Sequence, residues 1–347
     1  MDTKIFKITD CSHRNKKILT EAAETIKAGG LVVFPTETVY GLGADATNEI
    51  AVGNIYKAKG RPSDNPLIIH IADPMDANLY TYTNETYYLL ARKFMPGPLT
   101  VVLKSKENIP KKTRGGLPTV AVRCPENSTA RELIKLSERP IAAPSANLSG
   151  TPSPTCANHV IDDLTGRVDI IIDGGDSTVG VESTIVKIDD DGALVLLRPG
   201  KITLEELSGV ADVRVADAVT RELEKNEIAL SPGMKYRHYA PKADFILLDG
   251  SIPQITEYVG TQGENVALVI YSQYIADISQ QNPNIKCYDF GDENDIEIQA
   301  HRLFAILREI DKAKFDLVFA PLPQRNGIGL AVYNRMIRAA AHKIIKL

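Results

Sequence analysis

Apolar positions along this chain follow two periods. Ile18, Leu19, Ala22, Ala23 and Ile26 recur at the spacing of one buried helix stripe, and Gly29-Gly30 behind them predicts a C-cap. Residues 31–34 form a short apolar run that Pro35 breaks, which predicts a buried strand. Runs at 67–71, 99–103 and 120–122 predict further strands, 128–136 a helix, and 141–143 a short strand behind Pro140. Strands follow at 168–172, 183–188 and 194–197, and Thr203-Leu204-Glu205-Glu206 reads as a capping box opening a short helix. Several neighbouring strands have no helix between them. The first part of the chain is therefore expected to be α/β with a twisted mixed sheet.

The pattern changes after about residue 208. Residues 231–241 are bracketed by prolines and fit neither period, so they read as an ordered linker. Strands at 245–248, 266–270 and 317–320 then alternate with helices. One helix carries Leu303, Phe304, Leu307 and Ile310 on one face, and a last helix is expected over 331–341. This alternation predicts a smaller Rossmann-like three-layer α/β domain with a parallel sheet. The expected division is a first domain over 1–210, a linker or lid over 211–242, and a second domain over 243–347.

Composition narrows the classes. A length of 347 residues favours two domains, and 44% apolar with 24% charged residues is ordinary for a globular chain. A net charge of −4 gives no chain-wide nucleic-acid footprint, so any direct nucleic-acid contact is expected to be weak and confined to a local basic cleft. The 4 cysteines are scattered without C-x-x-C spacing, which leaves out zinc and redox motifs and suits a reducing cytoplasm. No signal peptide and no membrane span are expected. A monomer is the expected state.

Three strings carry the candidate chemistry: residues 35–43 (PTETVYGLG), Lys59-Gly60-Arg61-Pro62, and Pro144-Ser145-Ala146-Asn147. Each reads as polar residues placed where a strand stops. Gly41-Leu42-Gly43 fits a G-x-G-x-x-A dinucleotide fingerprint, but its strand ends too early and no acidic residue closes a second strand. A tight turn is the better reading. Lys59 and Arg61 are either a solvated pair or a rigid clamp for a polyphosphate, one a point charge and one a fork. Ser145 and Asn147 are either turn formers or a hydroxyl and an amide facing a nucleotide. His70 is either a satisfied core histidine or a ligand contact. Arg123, ending an apolar strand, points to an ion pair or an anionic ligand.

Taken together, these strings resemble the YrdC-like domain as it occurs in the long, two-domain threonylcarbamoyl-AMP synthase family. The resemblance rests on 35–43, Lys59-Gly60-Arg61-Pro62, Asn65-Pro66-Leu67, Pro96-Gly97-Pro98-Leu99-Thr100, Ser145-Ala146-Asn147, 180–184, Leu197-Arg198-Pro199-Gly200 and His238-Tyr239-Ala240-Pro241, which stand in the family's order. It implies an L-threonylcarbamoyladenylate synthase, a nucleotidyltransferase that uses ATP, L-threonine and bicarbonate, with magnesium carried by ATP. The product would pass to a separate tRNA threonylcarbamoyl transferase. By resemblance, Lys59, Arg61, Ser145 and Asn147 are catalytic. Asn65, Thr119, Ser153, Arg198, Tyr236 and His238 join them in holding ATP. Thr36, His70, Arg123, Ala143 and Ser183 hold threonine. The linker side chains could close as a lid or serve as a plain tether. Two rivals stand beside this reading. One is an RNA-binding module without catalysis. The other is a carbamoyl-adenylate enzyme of metallocentre maturation, whose acylphosphatase and zinc-finger-like segments are missing here.

Overall fold

Gly29, at φ +85°, closes the helix His13–Lys27, and the Gly30 N–H donates to the Thr25 carbonyl at 2.9 Å. That is the glycine C-cap expected from the sequence. The computed structural model describes residues 2–8, 13–221, 231, 239 and 241–347. The chain divides into two compact units, one comprising Met1–Ser149 with Ser153–Lys235 and the other Gly150–Pro152 with Tyr236–Leu347.

The first unit is built on a mixed sheet. Its strands are β1 (Lys4–Lys7), β2 (Val32–Phe34), β3 (Gly41–Asp45), β4 (Ile68–His70), β5 (Leu99–Lys104), β6 (Thr119–Arg123), β7 (Ile141–Ala142), β8 (Ile170–Asp173), β9 (Thr184–Ile188), β10 (Leu194–Arg198) and β11 (Val213–Val215). Their order is β1-β8-β2-β3-β7-β4-β6-β5-β9-β10-β11. β4 runs parallel to β6 and β5 parallel to β9, while β2/β3, β3/β7, β4/β7, β5/β6 and β9/β10 are antiparallel. The helices His13–Lys27 and Ser128–Ser137 cover one part of the sheet, where Ala22, Ile26, Val32, Phe34, Leu133 and Ile172 share one core. Elsewhere Ile68, Val102, Ala121, Ile185, Leu197 and Ala218 form a second apolar cluster.

Two expectations need correction. Gly41-Leu42-Gly43 is not a turn but the start of β3, and neither glycine has a positive φ. Glycine is needed there for space, since a Cβ on Gly43 would lie 2.7 Å from both Ile141 Cγ2 and Phe34 Cε1. Lys59-Gly60-Arg61 does not follow a strand either. Lys59 is the last residue of the helix Glu49–Lys59, which Asn48 caps at its start and Gly60, at φ +65°, caps at its end.

The second unit carries β12 (Asp244–Asp249), β13 (Val266–Ile270), β14 (Lys286–Asp289), β15 (Leu317–Pro321) and β16 (Ile344–Lys346). They are ordered β14-β13-β15-β12-β16, and each neighbouring pair is parallel. All five residues of β13 are buried, as its unbroken apolar run requires of a central parallel strand. The helices Ile252–Gly260, Ile275–Gln281, Ile296–Ala313 and Gly329–Ala339 connect successive strands. The last ends two residues before the expected 341, and Ala341 and His342 both take positive φ.

Candidate functional site

The helix ending at Lys59 delivers its ammonium into the turn that follows β7. Lys59 is buried, and its Nζ donates to the Ser145 carbonyl at 2.6 Å, to the Asn147 carbonyl, and to Asn147 Oδ1 at 3.4 Å. The Ser145 hydroxyl donates to the same Oδ1 at 2.6 Å. Lysine, serine and asparagine thus form one knot. The string 35–43 is tied to it through the main chain: Gly41 bridges Ser145, and the Ala146 N–H donates to the Tyr40 carbonyl at 2.8 Å. Gly60 turns the chain so that Arg61 follows directly, partly exposed, with its Nη2 on the Pro66 carbonyl at 3.2 Å. Asn65 is buried, and its Oδ1 has no hydrogen-bond partner among the described residues.

Register assembles a second group. His70 of β4 pairs with Arg123 of β6, and Arg123 pairs with Thr100 of β5. Directly paired residues share a sheet face, so these three stand in a row. Thr119 is four residues before Arg123 and hence on the same face, opposite Lys104, with small Ala121 between them. Thr100 Oγ1 lies 2.7 Å from Ser183 Oγ, and Arg198 donates to the Ser183 carbonyl at 3.1 Å and to Ser183 Oγ at 3.2 Å. Ser153 is buried and donates to Glu182 Oε1 at 2.6 Å. Ala143 is buried behind Pro144, its N–H on the Ile68 carbonyl at 2.9 Å.

Arg123 Nη2 holds Glu37 Oε1 at 2.7 Å, and both side chains are about 5% exposed (5% and 6%). Burial, and then the nearby Arg123 charge, push the His70 imidazole down to about 3, so it is neutral near pH 7. His70 Nδ1 lies 3.3 Å from the Ile141 carbonyl. A carbonyl only accepts, so this bond puts the proton on Nδ1 and leaves Nε2 as an acceptor. Phe34 packs edge-on against the ring at 6.0 Å. Thr36 Oγ1 accepts the N–H groups of Thr38 and Val39, each at 3.2 Å, which fixes the start of the PTETVYGLG loop.

The structure therefore gathers Lys59, Ser145 and Asn147 in one knot, His70 and Arg123 in one row, and Ser183 with Arg198 beside Thr100. Tyr236 and His238 lie outside the described residues, as does most of the linker. Tyr239 is described: its buried ring lies 5.0 Å from that of Phe304, within the second unit. Sequence reasoning assigned no role to Glu37, Thr100 or Glu182. Each stood inside a quoted string, but only register or a side-chain partner singles it out. Among the described residues, no three His, Cys, Asp or Glu side chains converge as metal ligands, and no helix is long and apolar enough to cross a membrane.

Comparison with known proteins extends this geometry. A family model for Sua5, YciO and YrdC proteins, described as "Telomere recombination", matches residues 24–200. A model described as "Threonylcarbamoyl-AMP synthase, C-terminal domain" matches residues 202–341. The threonylcarbamoyl-AMP synthase of Pyrococcus abyssi is 45% identical, over 94% of this chain and 95% of its own length. That of Bacillus subtilis is 42% identical, over 98% of this chain and 97% of its own. The crystal structure of P. abyssi Sua5 complexed with L-threonine superposes with a TM-score of 0.90 at 43% identity, covering 99% of both chains.

Proposed function

The chain belongs to the Sua5–YciO–YrdC family in its long threonylcarbamoyl-AMP synthase form, and from that premise we propose its reaction and the parts its residues play. It condenses L-threonine, bicarbonate or carbon dioxide, and ATP into threonylcarbamoyl-AMP and pyrophosphate, for the threonylcarbamoyl modification of a tRNA adenosine. As chemistry this is nucleotidyl transfer. Threonine's amine takes up carbon dioxide to give a carbamate. A carbamate oxygen attacks the α-phosphorus of ATP, and the bond to the β-phosphate breaks as pyrophosphate leaves.

The observation that carries this reading is the Lys59–Ser145–Asn147 knot, in which Lys59 and Asn147 are buried, tied through 35–43 to the Arg123–Glu37 pair. Such a transfer needs positioning and charge stabilisation rather than a covalent nucleophile. Lys59 holds the Ser145–Asn147 turn and brings a positive charge to it. Arg61 forks onto the phosphates. Asn65, Thr119, Ser153 and Arg198 line the nucleotide side. Arg123 takes the threonine carboxylate, and neutral His70 offers Nε2 to the threonine hydroxyl. Thr36, Ala143 and Ser183 complete that side, and the family resemblance alone assigns Tyr236 and His238 to ATP.

Magnesium, when bound with ATP, would neutralise phosphate charge. Asn65 Oδ1, a buried oxygen unsatisfied among the described residues, fits a metal-bound water. We place the reaction in the cytoplasm, whose reducing conditions suit the scattered thiols, and a transferase receives the product. Likeness to synthases along nearly the whole chain favours catalysis over a bare RNA-binding module. The test is pyrophosphate release with ATP, magnesium, bicarbonate and threonine, each omitted in turn. Release that depends on threonine and bicarbonate is expected. Release indifferent to threonine would overturn the reading.

A further inference from the structure

The Glu37–Arg123 pair is buried but incompletely satisfied. Glu37 Oε1 holds Arg123 Nη2 at 2.7 Å. Among the described residues, Glu37 Oε2 and Arg123 Nε are both buried without a hydrogen-bond partner. Folded proteins rarely leave such atoms unpaired, because each forfeits its hydration. The carboxylate has little freedom to find water by swinging away. The Glu37 carbonyl accepts the Val179 N–H at 2.8 Å and the Thr178 hydroxyl at 3.4 Å, and Thr36 Oγ1 pins the turn that contains Glu37 by accepting the Thr38 and Val39 N–H groups.

The two unsatisfied atoms are an anionic acceptor and a cationic donor belonging to one ion pair. An α-amino acid presents their complement, an ammonium and a carboxylate borne on one carbon. We propose that Glu37 is a further substrate-binding residue, whose Oε2 accepts a hydrogen bond from the amine of the amino-acid substrate while Arg123 takes its carboxylate. This rests on the threonine reading above and adds to it. Arg123 alone would accept any small carboxylate. Glu37 makes the site demand an amine, the group the reaction must carboxylate. The neutral state of neighbouring His70 leaves Glu37 to answer the ammonium charge.

The test compares L-threonine with 3-hydroxybutanoate, which keeps the carboxylate and hydroxyl but lacks the amine. Ligand-observed NMR titration of the full chain reaches the weak affinities involved. The native protein is expected to prefer threonine by about tenfold or more, the scale of one charge-assisted hydrogen bond. Glu37→Gln should abolish that preference while changing 3-hydroxybutanoate affinity by less than about twofold. Glu37→Asp, which keeps the charge, should retain the preference. Both ligands sample the same folded fraction, so the ratio withstands partial unfolding of a variant. If Glu37→Gln weakens both ligands equally, the residue only braces Arg123 and the proposal is wrong. Unchanged threonine affinity would overturn it too. A native protein that binds no threonine would instead overturn the underlying substrate reading, and this proposal with it.

Discussion

The ammonium of Lys59 lies 2.6 Å from the carbonyl oxygen of Ser145, joining a helix end to a turn 86 residues further along the chain. One side chain therefore shapes the turn and charges it. Lys59→Met should lower pyrophosphate release by about 100-fold or more. It should also cost about 1–3 kcal/mol of stability, because buried carbonyls lose their donor. Arg61 is partly exposed, so Arg61→Ala should cut the rate comparably but cost less than about 1 kcal/mol. Paired urea titrations and rate measurements separate the two effects. Equal stability losses would contradict the bracing role of Lys59.

Space rather than backbone freedom explains Gly43, where a Cβ would meet Phe34 Cε1 and Ile141 Cγ2 at 2.7 Å. Gly43→Ala should destabilise the protein by about 1–3 kcal/mol through overpacking. Phe34→Leu in the same chain should recover part of that loss, giving a favourable coupling in a double-mutant cycle. Additive losses would show that the strain lies elsewhere.

His70 makes a pH prediction with a definite sign. Its imidazole is held at about 3 in the folded chain against an ordinary 6.5. Below pH 6.5 the unfolded chain takes up a proton that the folded one refuses. The stability that neutral His70 contributes is therefore whole above about pH 6.5 and lost progressively as pH falls toward about 3, by about 1.4 kcal/mol per pH unit. His70→Asn should flatten the acid limb of stability against pH by that slope, measured by denaturant unfolding between pH 6 and pH 4. An unchanged slope would mean that His70 titrates normally.

The sequence discloses the fold best where one force dominates. Residues 266–270 are uniformly apolar and become a buried central parallel strand. Thr203 and Glu206 make the capping box their spacing announces. It misleads where tertiary packing overrides local preference. Gly41–Asp45, poor in strand formers, is a strand because it is paired on both sides, by β2 and β7. The helix Glu49–Lys59 had legible caps in Asn48 and Gly60, yet Lys59 reads as loop when the string is taken alone.

The site divides in the same way. Lys59, Arg61, Ser145, Asn147 and Arg123 stand out as polar residues beside apolar runs. Glu37 and Thr100 do not, since their roles come from partners 86 and 83 residues away, Arg123 and Ser183. Such distances are set by strand order, which no local pattern encodes.

The most direct test of the account is mass spectrometry of the nucleotide product formed with ATP, magnesium, L-threonine and ¹³C-bicarbonate. The account predicts a labelled adenylate whose mass contains AMP, threonine and one bicarbonate-derived carbon, and which disappears in Lys59→Met. An adenylate without that carbon, or AMP and pyrophosphate alone from a freshly quenched reaction, would contradict it.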